Sequence, residues 1–155
     1  MNANYLAPVF FDASCLTAAA GSPQGGSGFL LAQCRRGFLI AAVSESVMVE
    51  AERNVVNKMD AAALANYEWL VVQLPKIVIP APSPEQLLPY RGMVTTKDQH
   101  VVAAAILARA SVVLTLDKEL AQQVSRSGLS LYALSPGEFI NTILIHHPDY
   151  PHMRK

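Results

Sequence analysis

Short apolar runs alternating with longer helix-forming stretches constrain this chain more than any other feature. Residues 7–11, 38–43, 76–79, 112–116 and 130–133 are brief and rich in Val, Ile, Phe or Leu, and read as strands buried on both faces. Between them the pattern predicts helices at about residues 13–20, 27–36, 45–57, 60–73, 97–109, 117–127 and 136–145. Strands alternating with helices imply a mainly parallel sheet covered by helices on both faces. Several helix starts carry capping residues: Thr96 with Gln99, Ser83 with Glu85 and Gln86 beyond Pro84, and Ser135 with Glu138 beyond Pro136. The five prolines from Pro75 to Pro89 break helix and mark an irregular connection around the third strand.

The chain has 155 residues, and no internal repeat or linker divides it. One domain over residues 1–145, followed by a Pro- and His-containing tail at 146–155, is the expected organisation. A domain of this size buries roughly 70% of its extended surface without disulfides or a structural metal. With 52% hydrophobic and 15% charged residues the composition excludes disorder, and a formal net charge of zero excludes a generally basic nucleic-acid binder. Cys15 and Cys34 lack metal-ligand or redox spacing and read as buried, reduced thiols. Residues 1–22 lack a basic start and carry Asp12 within the apolar stretch, so they do not read as a secretory signal. The longest aliphatic run, Val101 to Ala108, falls short of the roughly 18 residues needed to span a bilayer. A soluble, cytoplasmic protein is expected.

Charge is so scarce that each of the five Asp and seven Glu is worth placing. In a parallel sheet the carboxyl ends of the strands line a crevice where strand order reverses, and ligands gather there. Asp12 follows Val9-Phe10-Phe11 and Asp117 follows residues 112–116, each ending a strand and opening a helix. Taken singly, either is explained as a helix N-cap. Asp98 falls in the first turn of the helix preceding the fourth strand, where the helix dipole favours its ionised form. Glu50 shares a helical face with Val47 and lies near Asn54, whereas Glu45 and Glu52 are expected to project elsewhere. Acids converging on one crevice repel each other unless a cation is present. Oxygen-only donors without His or Cys suit Mg²⁺ or Mn²⁺, and such ions held by acids support water attack on a phosphodiester.

Four segments, taken in order, carry a resemblance. Val9-Phe10-Phe11-Asp12-Ala13-Ser14, Ser44-Glu45-Ser46-Val47-Met48-Val49-Glu50, Lys97-Asp98-Gln99-His100-Val101-Val102 and Val112-Val113-Leu114-Thr115-Leu116-Asp117, closed by Ser135-Pro136-Gly137-Glu138-Phe139, resemble the PIN-domain nucleases over about residues 7–144. The resemblance implies a three-layer α/β/α sandwich with a parallel five-stranded sheet. It also implies four acids, Asp12, Glu50, Asp98 and Asp117, binding Mg²⁺ or Mn²⁺ for cleavage of RNA. Ser14 and Thr115 match small polar positions that would orient carboxylates or waters. The fourth motif of the family usually reads Thr-Gly-Asp; Leu116 replaces that glycine here, which implies a less tightly bent turn and a narrower approach for substrate. Many members are toxins of toxin–antitoxin pairs, so an antitoxin protein is an implied partner. Others process RNA or have lost activity.

Two other signals are weak. Gly21-Ser22-Pro23-Gln24-Gly25-Gly26-Ser27-Gly28 places Ser27 where a phosphate-loop Lys is required, and Leu31 where a dinucleotide-fold Gly belongs, so a plain loop between helices is expected. His146, His147 and His152 read as a terminus that is frayed or packed on a partner. Arg91, Lys97 and Lys118 are the expected substrate-phosphate contacts, with Arg35, Arg36, Arg53 and Lys58 as further rim charges. Tyr90 is available for base stacking, whereas Trp69 in an apolar helix is expected in the core. A metal-dependent endoribonuclease, sharing its apolar surplus in a homodimer, is the first expectation. A catalytically inactive PIN-like interaction module is the alternative, and the failed glycine fingerprints disfavour a nucleotide-binding domain.

Overall fold

The computed structural model describes residues 5–155. Its elements run in chain order as β1 (Val9–Phe11), α1 (Ala13–Gly21), α2 (Gly26–Arg35), β2 (Ala41–Ser44), α3 (Glu45–Lys58), α4 (Ala61–Gln73), β3 (Lys76–Ile79) and α5 (Pro84–Leu87). Then follow α6 (Gln99–Leu107), β4 (Val112–Leu114), α7 (Lys118–Arg126), β5 (Tyr132–Leu134), α8 (Pro136–Thr142) and α9 (Tyr150–Met153). Short 3-10 turns at Leu88–Tyr90, Thr96–Asp98 and Leu144–His146 join some of them.

The five strands form one all-parallel sheet in the order β3-β2-β1-β4-β5, flanked by helices in a three-layer α/β/α sandwich. β1 lies at the centre with Val9 opposite both Ala41 and Val112. Its neighbours β2 and β4 are connected to it in opposite directions along the sheet, so strand order reverses between β1 and β4. Phe10, Phe11, Val43 and Leu114 are wholly buried there, as expected of strands covered on both faces. The edge differs from expectation: on β3, an edge strand, Ile77 and Val78 are exposed. α1 packs against α2, α3 and α4, while α6 packs on β2 and β4.

Local sequence accounts for most boundaries. Ser44 Oγ accepts the Val47 N–H and opens α3, and Asp60 Oδ1 accepts the Ala63 N–H and opens α4. Both expected Ser-Pro starts form reciprocal capping boxes, Ser83 with Gln86 and Ser135 with Glu138. At Thr96 the expected cap does not form. Thr95 precedes the 3-10 turn instead, and Asp98 occupies the start of α6. The second strand begins at Ala41, because Phe38 turns away to meet His147 and Arg36. Between α1 and α2 the chain turns so closely that a Cβ on Gly28 would lie 2.0 Å from the Pro23 carbonyl oxygen. Only glycine permits this approach.

Residues after 145 are folded onto the body. Met153 is buried in the core, and Arg36 donates to the carbonyls of Met153 (3.3 Å) and His152 (3.0 Å). His147 is buried against Tyr5, its Nε2 3.0 Å from the Phe38 carbonyl, and its Nδ1 accepts the Asp149 N–H. These contacts replace the frayed or partner-bound tail expected from sequence with intramolecular packing. Cys15 and Cys34 are free and buried as expected, and burial pushes both thiols up to about 12. Among the described residues no helix is long and apolar enough to cross a membrane.

Candidate active site

The carboxyl ends of β1 and β4 sit side by side where strand order reverses, with Phe11 paired to Leu114. Asp12 leaves β1 in extended conformation, and its N–H still donates to the Leu114 carbonyl at 3.0 Å, so the carboxylate is anchored to the sheet. Oδ1 accepts the Ala13 N–H at 2.8 Å, and Oδ2 accepts Thr115 Oγ1–H at 2.7 Å and Ser14 Oγ–H at 3.1 Å. The two hydroxyls anticipated as orienting groups therefore converge on one carboxylate oxygen. Burial raises the Asp12 pKa; the hydrogen bonds from Thr115, Ser14 and Ala13 oppose that rise, and the charge of Asp98 adds to it.

Thr115 and Ser14 also shape the turn that follows β4. Thr115 Oγ1 accepts the Asp117 N–H and Ser14 Oγ accepts the Leu116 N–H, both at 3.0 Å. The strand ends at Leu114, so Asp117 follows a two-residue turn rather than the strand itself. Leu116 holds this turn without positive φ, which among the described non-glycine residues occurs only at Arg109. Its side chain is half exposed. The turn is closed by the Leu116 and Asp117 N–H groups donating to the Ser14 and Thr115 hydroxyls.

Asp117 Oδ1 accepts the N–H groups of Glu119 (3.0 Å) and Leu120 (3.3 Å) and caps α7. Asp98 is 8% exposed, matching Asp12 at 8%, and its Oδ2 accepts Thr95 Oγ1–H at 2.8 Å. Thr95 is itself held from behind, its N–H donating to Gln123 Oε1 on α7. Thr95 and Gln123 are positioning residues absent from the sequence reading. The missed signal was a hydroxyl three residues before an acid.

Glu50 departs from expectation. Val47 is wholly buried whereas Glu50 is exposed, so the two do not share an environment on α3. The Glu50 side chain lines an open groove together with Glu45, Arg53, Lys97 and His100, and Glu45 thus points into the same space as Glu50. His100 was also missed; its Nδ1 is buried without a hydrogen-bond partner among the described residues. Arg91, Lys97 and Lys118 are exposed, as substrate contacts must be. Tyr90 is partly buried against the core, and Trp69, expected inside, is 48% exposed.

Among the described residues no Lys or Arg nitrogen lies within 4.0 Å of a carboxylate oxygen of Asp12, Asp98 or Asp117. A nearly buried acid that feels the charge of a second and has no basic partner among the described residues suits a hard cation. Among the described residues, no three of the Asp, Glu, His and Cys side chains are grouped as a metal-holding cluster. Mg²⁺ requires fewer protein ligands than that, since it keeps several waters.

The chain is similar to the crystal structure of PAE2754 from Pyrobaculum aerophilum, at 17% sequence identity, with a TM-score of 0.63 over 90% of this chain and 91% of that one. At that identity the likeness shows the fold alone. No family model matches the chain, and no curated protein matches it.

Proposed function

We propose that this chain is a metal-dependent endoribonuclease of the PIN type, acting in the cytoplasm and serving as the toxin of a toxin–antitoxin pair. The observation that carries the proposal is the buried Asp12 carboxylate, held by Thr115 and Ser14 at the strand-order reversal, which feels the charge of Asp98 and has no basic residue paired to it among the described residues. In this reading Asp12, Asp98, Asp117 and Glu50 hold Mg²⁺ or Mn²⁺, directly or through water. The chemistry such an ion supplies when bound is neutralisation of phosphate charge and a lowered pKa for water.

The chain's own residues do the rest. Thr115 and Ser14 fix the Asp12 carboxylate, and Thr95 fixes Asp98, so that little reorganisation accompanies binding. Exposed Arg91, Lys97 and Lys118 contact RNA phosphates, and because the net charge is zero that attraction is local. Exposed Val49 and Val56 on α3, with Val72 on α4, supply apolar surface for a homodimer or an antitoxin.

The test is cleavage of single-stranded RNA by the purified chain with Mn²⁺. Cleavage is expected to depend on the metal and to be lost in Asp12→Asn and Asp98→Asn. Unchanged cleavage in both variants would sink the mechanism. A second reading, a catalytically inactive interaction module, is favoured by the cap role of Asp117 and the exposure of Glu50. Calorimetric titration with Mn²⁺ separates the two: saturable binding lost in Asp12→Asn supports the nuclease, and no binding heat supports the module.

A further inference from the structure

Away from the acids, α1, α2 and α4 enclose a partly open cleft of about 180 Å³, walled by Ala19, Leu31, Leu70 and Leu74. A dry apolar cavity of roughly 150 Å³ accepts a single benzene-sized ring, so this cleft holds one ring and not a drug-sized ligand. Its polar features sit at the mouth. The Arg35 guanidinium lies 4.7 Å above the Trp69 ring, in the last turn of α2. Asn66 is fixed by donating from Nδ2 to the Ala20 carbonyl at 3.1 Å.

Among the described residues Arg35 is the only charged one lining this cleft, and no carboxylate pairs with it. Its neighbour Arg36 is instead committed to Gln33 and the tail carbonyls. The Arg35 guanidinium rests over the Trp69 ring and makes no hydrogen bond or ion pair among the described residues, which leaves its N–H groups to meet an anion. An apolar floor for one ring with an unpaired guanidinium at the rim is complementary to one ligand chemistry. We propose that this cleft binds a small aromatic carboxylate, the ring on the Leu31 and Leu70 side chains and the carboxylate against Arg35. The site is independent of the nuclease reading, since none of its lining residues belongs to the acid cluster.

Trp69 is the single tryptophan of the chain, so its emission reports on the cleft directly. The probe is phenylacetate, titrated into the full chain, with side-chain amide NMR of Asn66 as a second readout. A saturable response with a Kd on the order of 1 mM or tighter is expected for so small a ligand. Arg35→Gln and the neutral analogue 2-phenylethanol should each weaken binding about tenfold, the loss expected for one charge-assisted hydrogen bond. Arg35 is exposed, so Arg35→Gln should fold normally, which its thermal midpoint checks. The proposal is overturned by the absence of a saturable response in both readouts. It is equally overturned if Arg35→Gln or the alcohol binds as tightly as the wild-type pair, which would make the cleft merely apolar.

Discussion

Thr115 and Asp12 lie 103 positions apart in sequence, yet the Thr115 hydroxyl donates to Asp12 Oδ2 at 2.7 Å and simultaneously accepts the Asp117 N–H. One hydroxyl therefore ties the end of β1 to the start of α7 across the strand-order reversal. Whatever binds at this crevice meets carboxylates whose positions are set before it arrives.

Thr115→Val should test that tie, because valine preserves the shape and removes the hydroxyl. The variant leaves a buried Asp12 oxygen and the Asp117 N–H each short of a partner. A loss of about 1–3 kcal/mol is expected in urea unfolding, with a further rise in the Asp12 pKa because its strongest lowering hydrogen bond is gone.

The pH dependence of stability follows from the raised Asp12 pKa. Below the ordinary value of 3.8 the carboxyl is protonated in both folded and unfolded states and contributes nothing. As pH rises from 3.8 through the raised folded pKa, the unfolded state loses its proton first, so stability falls across that window. Asp12→Asn should remove this component, and the difference between the two unfolding-versus-pH curves should grow with pH over the same window and then level off. If a divalent ion binds ionised Asp12, adding Mn²⁺ should shrink that difference; denaturant titrations with and without the ion check it.

Asp117 has two separable duties. Asparagine caps a helix about as well as aspartate, so Asp117→Asn should leave stability within about 0.5 kcal/mol of wild type, whereas Asp117→Ala should cost about 1–2 kcal/mol. Any loss of Mn²⁺ binding or RNA cleavage in Asp117→Asn would then report on charge and not on folding.

The C-terminal segment should be released by His147→Ala. This removes the ring packed against Tyr5, the contact to the Phe38 carbonyl and the acceptor for the Asp149 N–H. Faster amide exchange over residues 147–155 and earlier proteolytic cleavage there are expected, with the sheet unchanged.

Gly28→Ala is expected to destabilise the chain by about 1–3 kcal/mol, the range for forced overpacking. The added methyl meets rigid backbone at Pro23 and has no flexible side chain to displace. Thermal unfolding measures it.

Local chemistry made much of this molecule legible from its sequence. The alternation of short apolar runs with helical stretches determined the parallel α/β sandwich, because strands covered on both faces must be apolar throughout. Ser135 and Ser83 capped the helices they precede, since a capping box involves only residues three apart. Asp12 could be placed at a strand end for the same reason. What sequence could not determine was which groups meet across the fold. Thr95 engages Asp98, Glu50 faces an open groove while Val47 is buried, and Trp69 closes a cleft with Arg35 on another helix. Helical periodicity assigns a residue to a face, but the angle at which α3 and α4 pack decides whether that face meets core or solvent. The tail showed the same limit: His147 and Arg36 bind it through contacts more than a hundred residues apart, which no local pattern records.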